Sequence, residues 1–487
     1  MLWDRTRYVP IEEYDDRGLE VAAFLDSPVF DLDPLIRERI ARLSFVTDEQ
    51  RRFVGEVERL SAYQTYALRH GSLAINDPYT GEPATYLGCF AYHGEVLYRL
   101  RAKTDLLLIT GTAKSSVRGV YLPADDLFLT MGTVAPRALR NIPEAKAHLA
   151  HALVRQRRRA GRGTAEAGDE FIPTGVTVQI GGQENFAHQI WNSFGALERE
   201  ILVGNLPAKR PVITIGTEHF GPVGGLYPEL ESGTIEKRAR SGVDSRFVAD
   251  PERVLVRLGT ALLMPEACDR VARAADRRID DPELGPLMER VASYRCPIYL
   301  ALRVGDKAWA DAVTEVPKLI DHVLAERADV CVLLDGFSVP SGTDHVTHRW
   351  RAQLVELEEL VSAIRGRVSD PDRVMDLIGL DMLSSIAVLR RARCYVTPVG
   401  TAHHKVDWLS DAPGVVYVSA DFSRYPRDRW QGFSQRIGSH APRVVVGQDL
   451  PADSVRHRRA GDQRQRLSNF TLPWTAVWAA LEPLLDE

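Results

Sequence analysis

The 487-residue chain is poor in cysteine, in long apolar runs and in net charge, and each shortage excludes a class of protein. Five widely spaced cysteines without a CxxC pair favour a reduced compartment over a disulfide framework. No stretch approaches about 18 uncharged apolar residues, and the N-terminus has no apolar signal core. A formal charge of -5 lacks the basic surplus of a nucleic-acid binder. We expect a cytoplasmic protein; peripheral membrane contact stays open, since it needs no span.

The length corresponds to about three domains, or two large ones. A polar, arginine-rich segment at 155–170 marks a boundary. Upstream of it, helical patterns at 34–43 and 48–70 mix with short strand-like runs, at 96–100, 106–110 and 119–122. We therefore expect residues 1–165 to form an α+β N-terminal module, whose role the sequence does not reveal.

Downstream, apolar strand runs alternate with loops and with helices of ten or more residues. This alternation predicts βαβ units, and continuous apolar strands are typical of buried parallel sheets. The predicted strands are 176–180, 211–215 and 254–258, followed by 298–302, 330–334, 394–397 and 415–418.

The predicted strands divide into two Rossmann-like α/β units that face a cleft. We expect a first unit at 166–285 and a second at 286–450, with the break in the polar stretch at 270–297. An apolar helical segment at 472–487 is expected to pack back on the first unit. The predicted fold class is thus α/β, with two facing Rossmann-like domains and an additional α+β module.

Ligands of open α/β sheets lie at the carboxyl ends of strands, and phosphates favour helix N-termini. The first strand-to-helix junction carries Gly181-Gly182 and a helix whose apolar stripe begins at Phe186. Asn185, His188 and Asn192 fall on its other face. His188 is either a surface histidine or a general base or hydrogen-bond partner of a substrate.

The second junction places Arg303 at a strand end and Lys307 after a Gly-Asp turn. Two cations at this position suit a diphosphate, and Asp306 would either cap the helix or orient Arg303. The alternative is a capped helix with solvated cations. The next strand ends at Asp335, and its loop, which includes Ser338, could contact a base or ribose.

The third junction joins a strand to Gly400, Thr401 and a helix that opens with His403, His404 and Lys405. Glycine lets a ligand approach the backbone, and the threonine and lysine add a hydroxyl and a charge at the positive end of the helix. It is the best anion site in the sequence. The alternative is a capped helix with two incidental histidines.

Other chemistries find little support. The chain has no GxGxxG, Walker A, GxSxG or HExxH pattern, which disfavours standard dinucleotide sites and hydrolases. His345 and His348 are three residues apart, but no third ligand stands at a fixed offset, which disfavours zinc.

The segment ENFAHQIWNSFGALE resembles the N-F-x-H-x-x-W-N segment of GT-B-fold glycosyltransferases, in particular bacterial relatives of glycosyltransferase family 61. The likeness covers about 172–425 and includes TPVGTAHHKVDWL before the strand GVVYVS. The chain departs from that family at Gly400-Thr401-Ala402-His403, where its members usually have Gly-Ala-Gly-Leu or a similar sequence. The resemblance implies a nucleotide-sugar donor on the second unit, an acceptor on the first and no obligatory metal or other cofactor.

The resulting hypothesis is glycosyl transfer from a nucleotide sugar to a glycan or small-molecule acceptor, with inversion, in polysaccharide or glycoconjugate biosynthesis. No nucleic-acid partner is expected. His188 is the expected base, and the expected substrate-binding residues are Glu184, Asn185, Asn192, Arg303, Lys307, Asp335, Ser338, Gly400, Thr401, His403, His404 and Lys405. A non-catalytic nucleotide- or carbohydrate-binding scaffold and a nucleotide-sugar epimerase remain as alternatives.

Overall fold

The computed structural model describes residues 7–14, 19–43, 47–92, 95–111, 114–132, 175–181, 185–206, 210–230, 234–238, 253–341, 348–424, 441–451 and 468–486. These residues form three β-sheets, one in the N-terminal module and one in each of two α/β units. The expected fold class, α/β with two parallel-sheet units and an additional α+β module, is confirmed.

The N-terminal module is a mainly antiparallel sheet covered by helices. Its strands are β1 Arg7–Pro10, β2 Ile75–Asn76, β3 Pro83–Tyr92, β4 Glu95–Arg101, β5 Asp105–Gly111, β6 Ser116–Leu122 and β7 Leu127–Thr130. Its α-helices are α1 Val21–Leu25, α2 Pro34–Ala41, α3 Asp48–Ser61 and α4 Tyr63–His70, with 3-10 turns at Ile11–Glu13 and Pro28–Phe30. The strands follow the order β1-β7-β6-β5-β4-β3-β2, and only β1 and β7 pair in parallel.

The first α/β unit contains a parallel sheet in the order β10-β9-β8-β11. Its strands are β8 Gly175–Gly181, β9 Val212–Ile215, β10 Ile235–Arg238 and β11 Arg253–Leu258. Its helices are α5 Phe186–His188, a π-helix at Gln189–Phe194, α6 Gly195–Leu202 and α7 Val223–Leu226, followed by α8 Pro265–Asp276 and α9 Gly285–Ala292. The expected regular helix after β8 is therefore interrupted by a π-helical turn.

The second α/β unit contains seven strands in the described part of the chain, in the order β14-β13-β12-β15-β16-β17-β18. They are β12 Cys296–Ala301, β13 Val330–Asp335, β14 Val374–Asp376, β15 Cys394–Pro398, β16 Gly414–Ser419, β17 Arg443–Asp449 and β18 Phe470–Thr471. Its helices are α10 Ala312–Glu326, α11 His348–Arg365, α12 Met382–Leu389, α13 Thr401–Leu409, α14 Ala420–Ser423 and α15 Trp474–Leu481, with 3-10 turns at Pro371–Arg373 and Glu482–Leu484. All its strands but β18 are parallel, and the first six have the 3-2-1-4-5-6 order of a doubly wound Rossmann sheet.

The C-terminal helix lies on the second unit, so its expected return to the first unit is wrong. Helix α15 packs against α10 and strands β16 and β17. The Trp474 amide donates to Glu315 Oε2 at 3.1 Å. The ring centroids of Trp474 and Trp478 lie 5.0 and 4.7 Å from that of His322. The apolar face of this short helix is buried by the nearest sheet, because Val477 and Leu481 complete the core of the second unit.

Helix α8 connects the two α/β units. It packs against the π-helix of the first unit and against α12 and α13 of the second. At its C-terminal end, Asp276 accepts a hydrogen bond from Arg390 Nε at 2.9 Å. The strands of the first sheet precede residue 285 and those of the second follow it. Helix α8, in contrast, packs against both units.

The N-terminal module covers the open edge of the first parallel sheet. Strand β11 lies at that edge, and its Leu255 backbone is satisfied by side chains of the module. The Leu255 amide donates to Cys89 Sγ at 3.2 Å, and the Leu255 carbonyl accepts from Tyr98 Oη at 2.7 Å. An exposed edge strand is a template for pairing with other chains, and here side chains close it.

A buried ionic network, the Arg199 network, fixes the same module to the first unit. Arg199, which is 2% exposed, donates to Glu58 Oε2 at 3.0 Å, Glu200 Oε1 at 2.9 Å and Gln64 Oε1 at 2.7 Å. Glu58 also accepts from the Thr260 hydroxyl at 2.7 Å. Two buried carboxylates and one guanidinium are thus held together by residues of both parts.

None of the described helices is both long enough and apolar enough to cross a membrane.

Candidate functional site

A cavity of about 310 Å³ lies between the two α/β units. Its floor is formed by the carboxyl ends of β12, β13 and β15. Strands β12 and β15 are neighbours in the sheet although two strands separate them in sequence, so the chain reverses its winding direction there. This crevice is the position at which doubly wound sheets bind ligands. Residues of the first unit, Asn185, Phe186 and His219, close the cavity from the other side.

A buried ion pair, the Asp335–Lys405 pair, forms part of the floor. Lys405 Nζ lies 2.7 Å from Asp335 Oδ2, and the two side chains are 5% and 1% exposed. The ammonium also donates to Ser338 Oγ at 2.9 Å and Ser385 Oγ at 2.6 Å. Tyr299 Oη donates to the same carboxylate oxygen at 2.6 Å. All three N–H bonds of the lysine are therefore directed at protein oxygens.

This network keeps the carboxylate ionised. Burial by itself would raise the pKa of Asp335, but Lys405, Tyr299 and the Gly336 amide hold that pKa below its ordinary value. Lys405 neutralises Asp335, so its charge is not left over for a diphosphate in the way the sequence suggested. Asp335 and Ser338 line the cavity and hold the lysine in place.

A second group of cations lies at the junction of β12 and α13. Arg303 Nε donates to the Asp306 carbonyl at 2.6 Å and to Asp306 Oδ1 at 3.1 Å. Asp306 therefore orients Arg303; it does not cap α10, which begins at Ala312. Lys307 Nζ would lie 3.8 Å from a Cβ at Gly400, the residue before α13. Arg303 and Lys307 thus flank the region where the first amides of α13 begin.

The backbone at this junction is specialised. Gly400 has φ 112°, which a residue with a side chain rarely adopts, and Lys307 has φ 54°, in the left-handed region. Left-handed non-glycine residues are uncommon and cluster at ligand sites, because the surrounding structure must compensate their strain. These two backbone conformations hold the Lys307 ammonium close to the start of α13.

One hydrogen bond joins the two units across the cavity. Asn185 Nδ2 donates to Thr401 Oγ1 at 2.9 Å, and Asn185 Oδ1 caps α5 by accepting from the Ala187 amide at 2.9 Å. Both residues line the cavity. The start of a helix in each unit therefore contributes to the same wall.

His188 and Asn192 lie together but not on the cavity wall. His188 is exposed, its Nδ1 lies 2.9 Å from Asn192 Oδ1, and its ring stacks on Trp191 at 6.3 Å. Asn192 is 1% exposed and donates to the Thr260 carbonyl at 2.7 Å. The π-helical turn changes the spacing expected of a regular helix, so Asn192 points into the core.

On α13, which packs against α5 and α8, His403 is buried and His404 is half-buried. Burial lowers the pKa of His403 to about 4 and lowers that of His404 well below its ordinary value, to which His403, His188 and Lys307 contribute. The His404 ring stacks on Trp408 at 4.5 Å. Both histidines are therefore held neutral at physiological pH by their surroundings.

Sequence reasoning missed His219, which is 5% exposed and lines the cavity. His219 is the fourth residue after β9. Because ligands lie at the carboxyl ends of strands, inspection of this junction too would have identified it as a candidate. Its amide donates to Gln189 Oε1 at 2.9 Å, and its carbonyl accepts from the Ser341 amide of the second unit at 2.9 Å. Trp350, also on the wall, has no strand-end signal, because it lies inside α11.

Glu184 and His345 lie outside the described residues, and so does the side chain of His348. Within the described ranges, no group of three or more histidine, cysteine or carboxylate side chains is placed to hold a metal ion.

Two facing parallel sheets with a cavity between them define the architecture. The fold is GT-B-like. No protein-family model matches the chain and no curated protein does, so the likeness to family 61 is not confirmed.

Solved structures with partial likeness include three bacterial enzymes. The Burkholderia xenovorans α,α-trehalose-phosphate synthase is 14% identical with a TM-score of 0.27, over 55% of this chain and 62% of that one. The E. coli ADP-heptose LPS heptosyltransferase II is 11% identical with a TM-score of 0.36, over 64% and 98%. A putative UDP-N-acetylglucosamine 2-epimerase of Listeria monocytogenes is 14% identical with a TM-score of 0.24, over 55% and 63%. The chain thus spans less than two thirds of the synthase, and the fold assignment rests on the strand orders.

Proposed function

We propose that the protein is a glycosyltransferase that moves a sugar from a nucleoside-diphosphate donor to an acceptor hydroxyl. The observation that carries this proposal is the position of the cavity. It lies at the winding reversal of a Rossmann-ordered sheet, and a second parallel unit closes it from the opposite side. One side can hold a nucleotide and the other an acceptor, which is the arrangement that transfer between two substrates requires.

The donor diphosphate would lie at the start of α13. Amides at a helix N-terminus favour anions, and Arg303, Lys307 and the Thr401 hydroxyl stand around that start. In the transfer step, the acceptor oxygen bonds to the anomeric carbon and the bond from that carbon to the phosphate oxygen breaks. The nucleoside diphosphate leaves with the bonding electrons, and these cations stabilise its growing negative charge.

The acceptor proton needs a base within hydrogen-bond reach. His188 was the candidate from the sequence, but the histidine that lines the cavity is His219. We therefore assign the base role to His219, whose ring would take the proton as the new glycosidic bond forms. A base on the face opposite the leaving group gives inversion at the anomeric carbon.

Thermal unfolding with the nucleoside diphosphates UDP, GDP, ADP and TDP tests the donor side. At a concentration of about 100 times Kd, the correct nucleotide should stabilise the protein by about 2.7 kcal/mol. The Arg303→Gln variant should lose about half of that stabilisation or more. If none of the four nucleotides raises the melting temperature of the wild-type protein, the proposal is wrong.

Turnover separates transfer from the alternatives. A panel of nucleotide sugars with and without acceptors should give a nucleotide product only when an acceptor is present. Donor conversion without acceptor would favour an epimerase, and binding without conversion a scaffold. His219→Ala should lower kcat by about 100-fold or more, whereas His188→Ala, outside the cavity, should leave kcat within about threefold.

A further inference from the structure

One side of the cavity is walled by aromatic rings from both units. Phe186 and His219 come from the first unit, and Phe337 and Trp350 come from the second. The ring centroids of His219 and Trp350 lie 5.7 Å apart, those of Phe337 and Trp350 6.1 Å and those of Phe186 and His219 6.3 Å. These four residues form a continuous surface, which we call the aromatic wall.

Phe337 of the aromatic wall and the start of α13 lie on different sides of β12. Phe337 follows β13, whereas Gly400 and Thr401 follow β15, and Arg303 follows β12 between them. Among the described lining residues the charged groups are Arg303, whose ion-pair partner Asp306 does not line the cavity, and the Asp335–Lys405 pair, whose charges neutralise each other. The cavity therefore has a cationic side that suits phosphate and an apolar side that does not.

The apolar side also carries a hydrogen-bonding group. Gln353 lines the cavity and lies three residues after Trp350 on α11, so the two side chains share one face of the helix. An amide can donate to and accept from a hydroxyl beside a ring. Aromatic rings with one nearby amide favour a planar apolar group with a polar edge.

We propose that the aromatic wall is the acceptor subsite and that the acceptor carries a planar apolar ring, as in an aryl glycoside. This inference rests on the proposed glycosyl transfer. His219 is a member of the wall, and the group that contacts the proton-accepting residue must be the acceptor rather than the donor nucleotide. A ring on Trp350 and Phe337 would bring an attached hydroxyl toward His219 and the anomeric carbon.

Two probes that differ only in the ring test this inference. Phenyl β-D-glucopyranoside and methyl β-D-glucopyranoside are titrated calorimetrically into the full-length protein, with and without saturating UDP. We expect the phenyl compound to bind about tenfold more tightly than the methyl compound. The Trp350→Leu and Phe337→Leu variants should lose this preference, whereas Trp478→Leu on α15 should keep it.

A conservative variant distinguishes loss of the aromatic ring from misfolding. Trp350→Phe keeps a ring and should retain the phenyl preference within about threefold, with an unchanged circular-dichroism spectrum. Equal affinity for the two probes, or no detectable binding of the phenyl probe, overturns the inference. It is also overturned if Trp350→Leu weakens UDP as much as it weakens the phenyl probe, because the wall would then hold the nucleobase.

The two proposals fail in different ways. If nucleotides raise the melting temperature but the phenyl preference is absent, the acceptor inference falls and glycosyl transfer stands. If no nucleotide binds while a Trp350-dependent phenyl preference persists, glycosyl transfer falls and the aromatic subsite stands as a binding site for aryl compounds.

Discussion

The Arg199 network and the Asp335–Lys405 pair are both buried ionic clusters, but one joins two parts of the chain and the other lines a cavity. The first holds two carboxylates around one guanidinium and joins the N-terminal module to the first unit. The second is a balanced pair whose atoms line a cavity of about 310 Å³. Removing Arg199, or either member of the Asp335–Lys405 pair, leaves buried charge without its partner, and the pair borders a space that water or a ligand can enter. Burial of charge is thus structural in one place and shapes a binding surface in the other.

The largest effect is expected from Arg199→Met. It removes the guanidinium that is ion-paired with both Glu58 and Glu200, and it leaves two carboxylates in the core. We expect the free energy of unfolding to fall by about 3–5 kcal/mol, measured by urea denaturation. Arg42→Ala, which removes an exposed pair with Glu38, is the control and should cost less than about 1 kcal/mol. A cost below that of the control would contradict the assigned role.

Lys405→Met should lower the free energy of unfolding by about 2–3 kcal/mol, which is less than the loss expected for Arg199→Met. The loss is smaller because Asp335 keeps the hydrogen bonds from Tyr299, Ser385 and Gly336. Asp335 can also become protonated in the variant. The double variant Lys405→Met/Asp335→Asn should recover part of the lost stability, because it buries no unpaired charge. It should still bind nucleotide more weakly than the wild type, because the floor of the cavity is altered. Equal losses for Lys405→Met and Arg199→Met would remove the distinction between the two clusters.

Arg303→Gln should act on binding and not on folding. Its charge-assisted contact to a diphosphate is worth about 1.5–3 kcal/mol, which corresponds to about 10- to 100-fold in Kd by calorimetry. Its ion pair with Asp306 is partly exposed, so the free energy of unfolding should change by less than about 1 kcal/mol. Arg42→Gln, an exposed residue paired with Glu38, is the matched control. Unchanged nucleotide affinity in Arg303→Gln would exclude this arginine from the donor site.

The smallest effect is a difference in acid stability. Because the pKa of folded Asp335 lies below its ordinary value, the carboxylate stabilises the protein above its unfolded pKa, about 3.9. That contribution is lost as the pH falls through the folded pKa. In Lys405→Met burial is no longer opposed by the ammonium, so the unfolding free energy should fall less on acidification from pH 5 than in the wild type. Parallel curves for the two proteins would show that Lys405 does not set this pKa.

The strand pattern could be predicted from sequence because each buried parallel strand is a continuous apolar run, as at Val330–Asp335. The three strand-end junctions were likewise found, and Asn185, Arg303 and Thr401 do meet at one cavity. The sequence could not show that Lys405 is neutralised by Asp335, since 70 residues separate them and only the sheet order brings them together. Nor could it show the π-helical turn that takes Asn192 into the core.

Short strands and long-range packing were the least visible parts of the fold. Strand β14 has three residues, and β18 has two, so neither forms a pattern longer than chance. The side on which α15 packs depends on its neighbours rather than on its own apolar face, which would have suited either sheet. His219 was accessible to the same strand-end reasoning that found the other junctions.

The covered edge of β11 bears on the order in which the chain is made. A ribosome releases the N-terminal module first, and domains generally fold as they emerge. Cys89 and Tyr98 can then be in place before Leu255 leaves the exit tunnel. A shortened chain that begins at β8 would instead be synthesised with an uncovered sheet edge, and its yield in soluble form would fall through self-association at that strand.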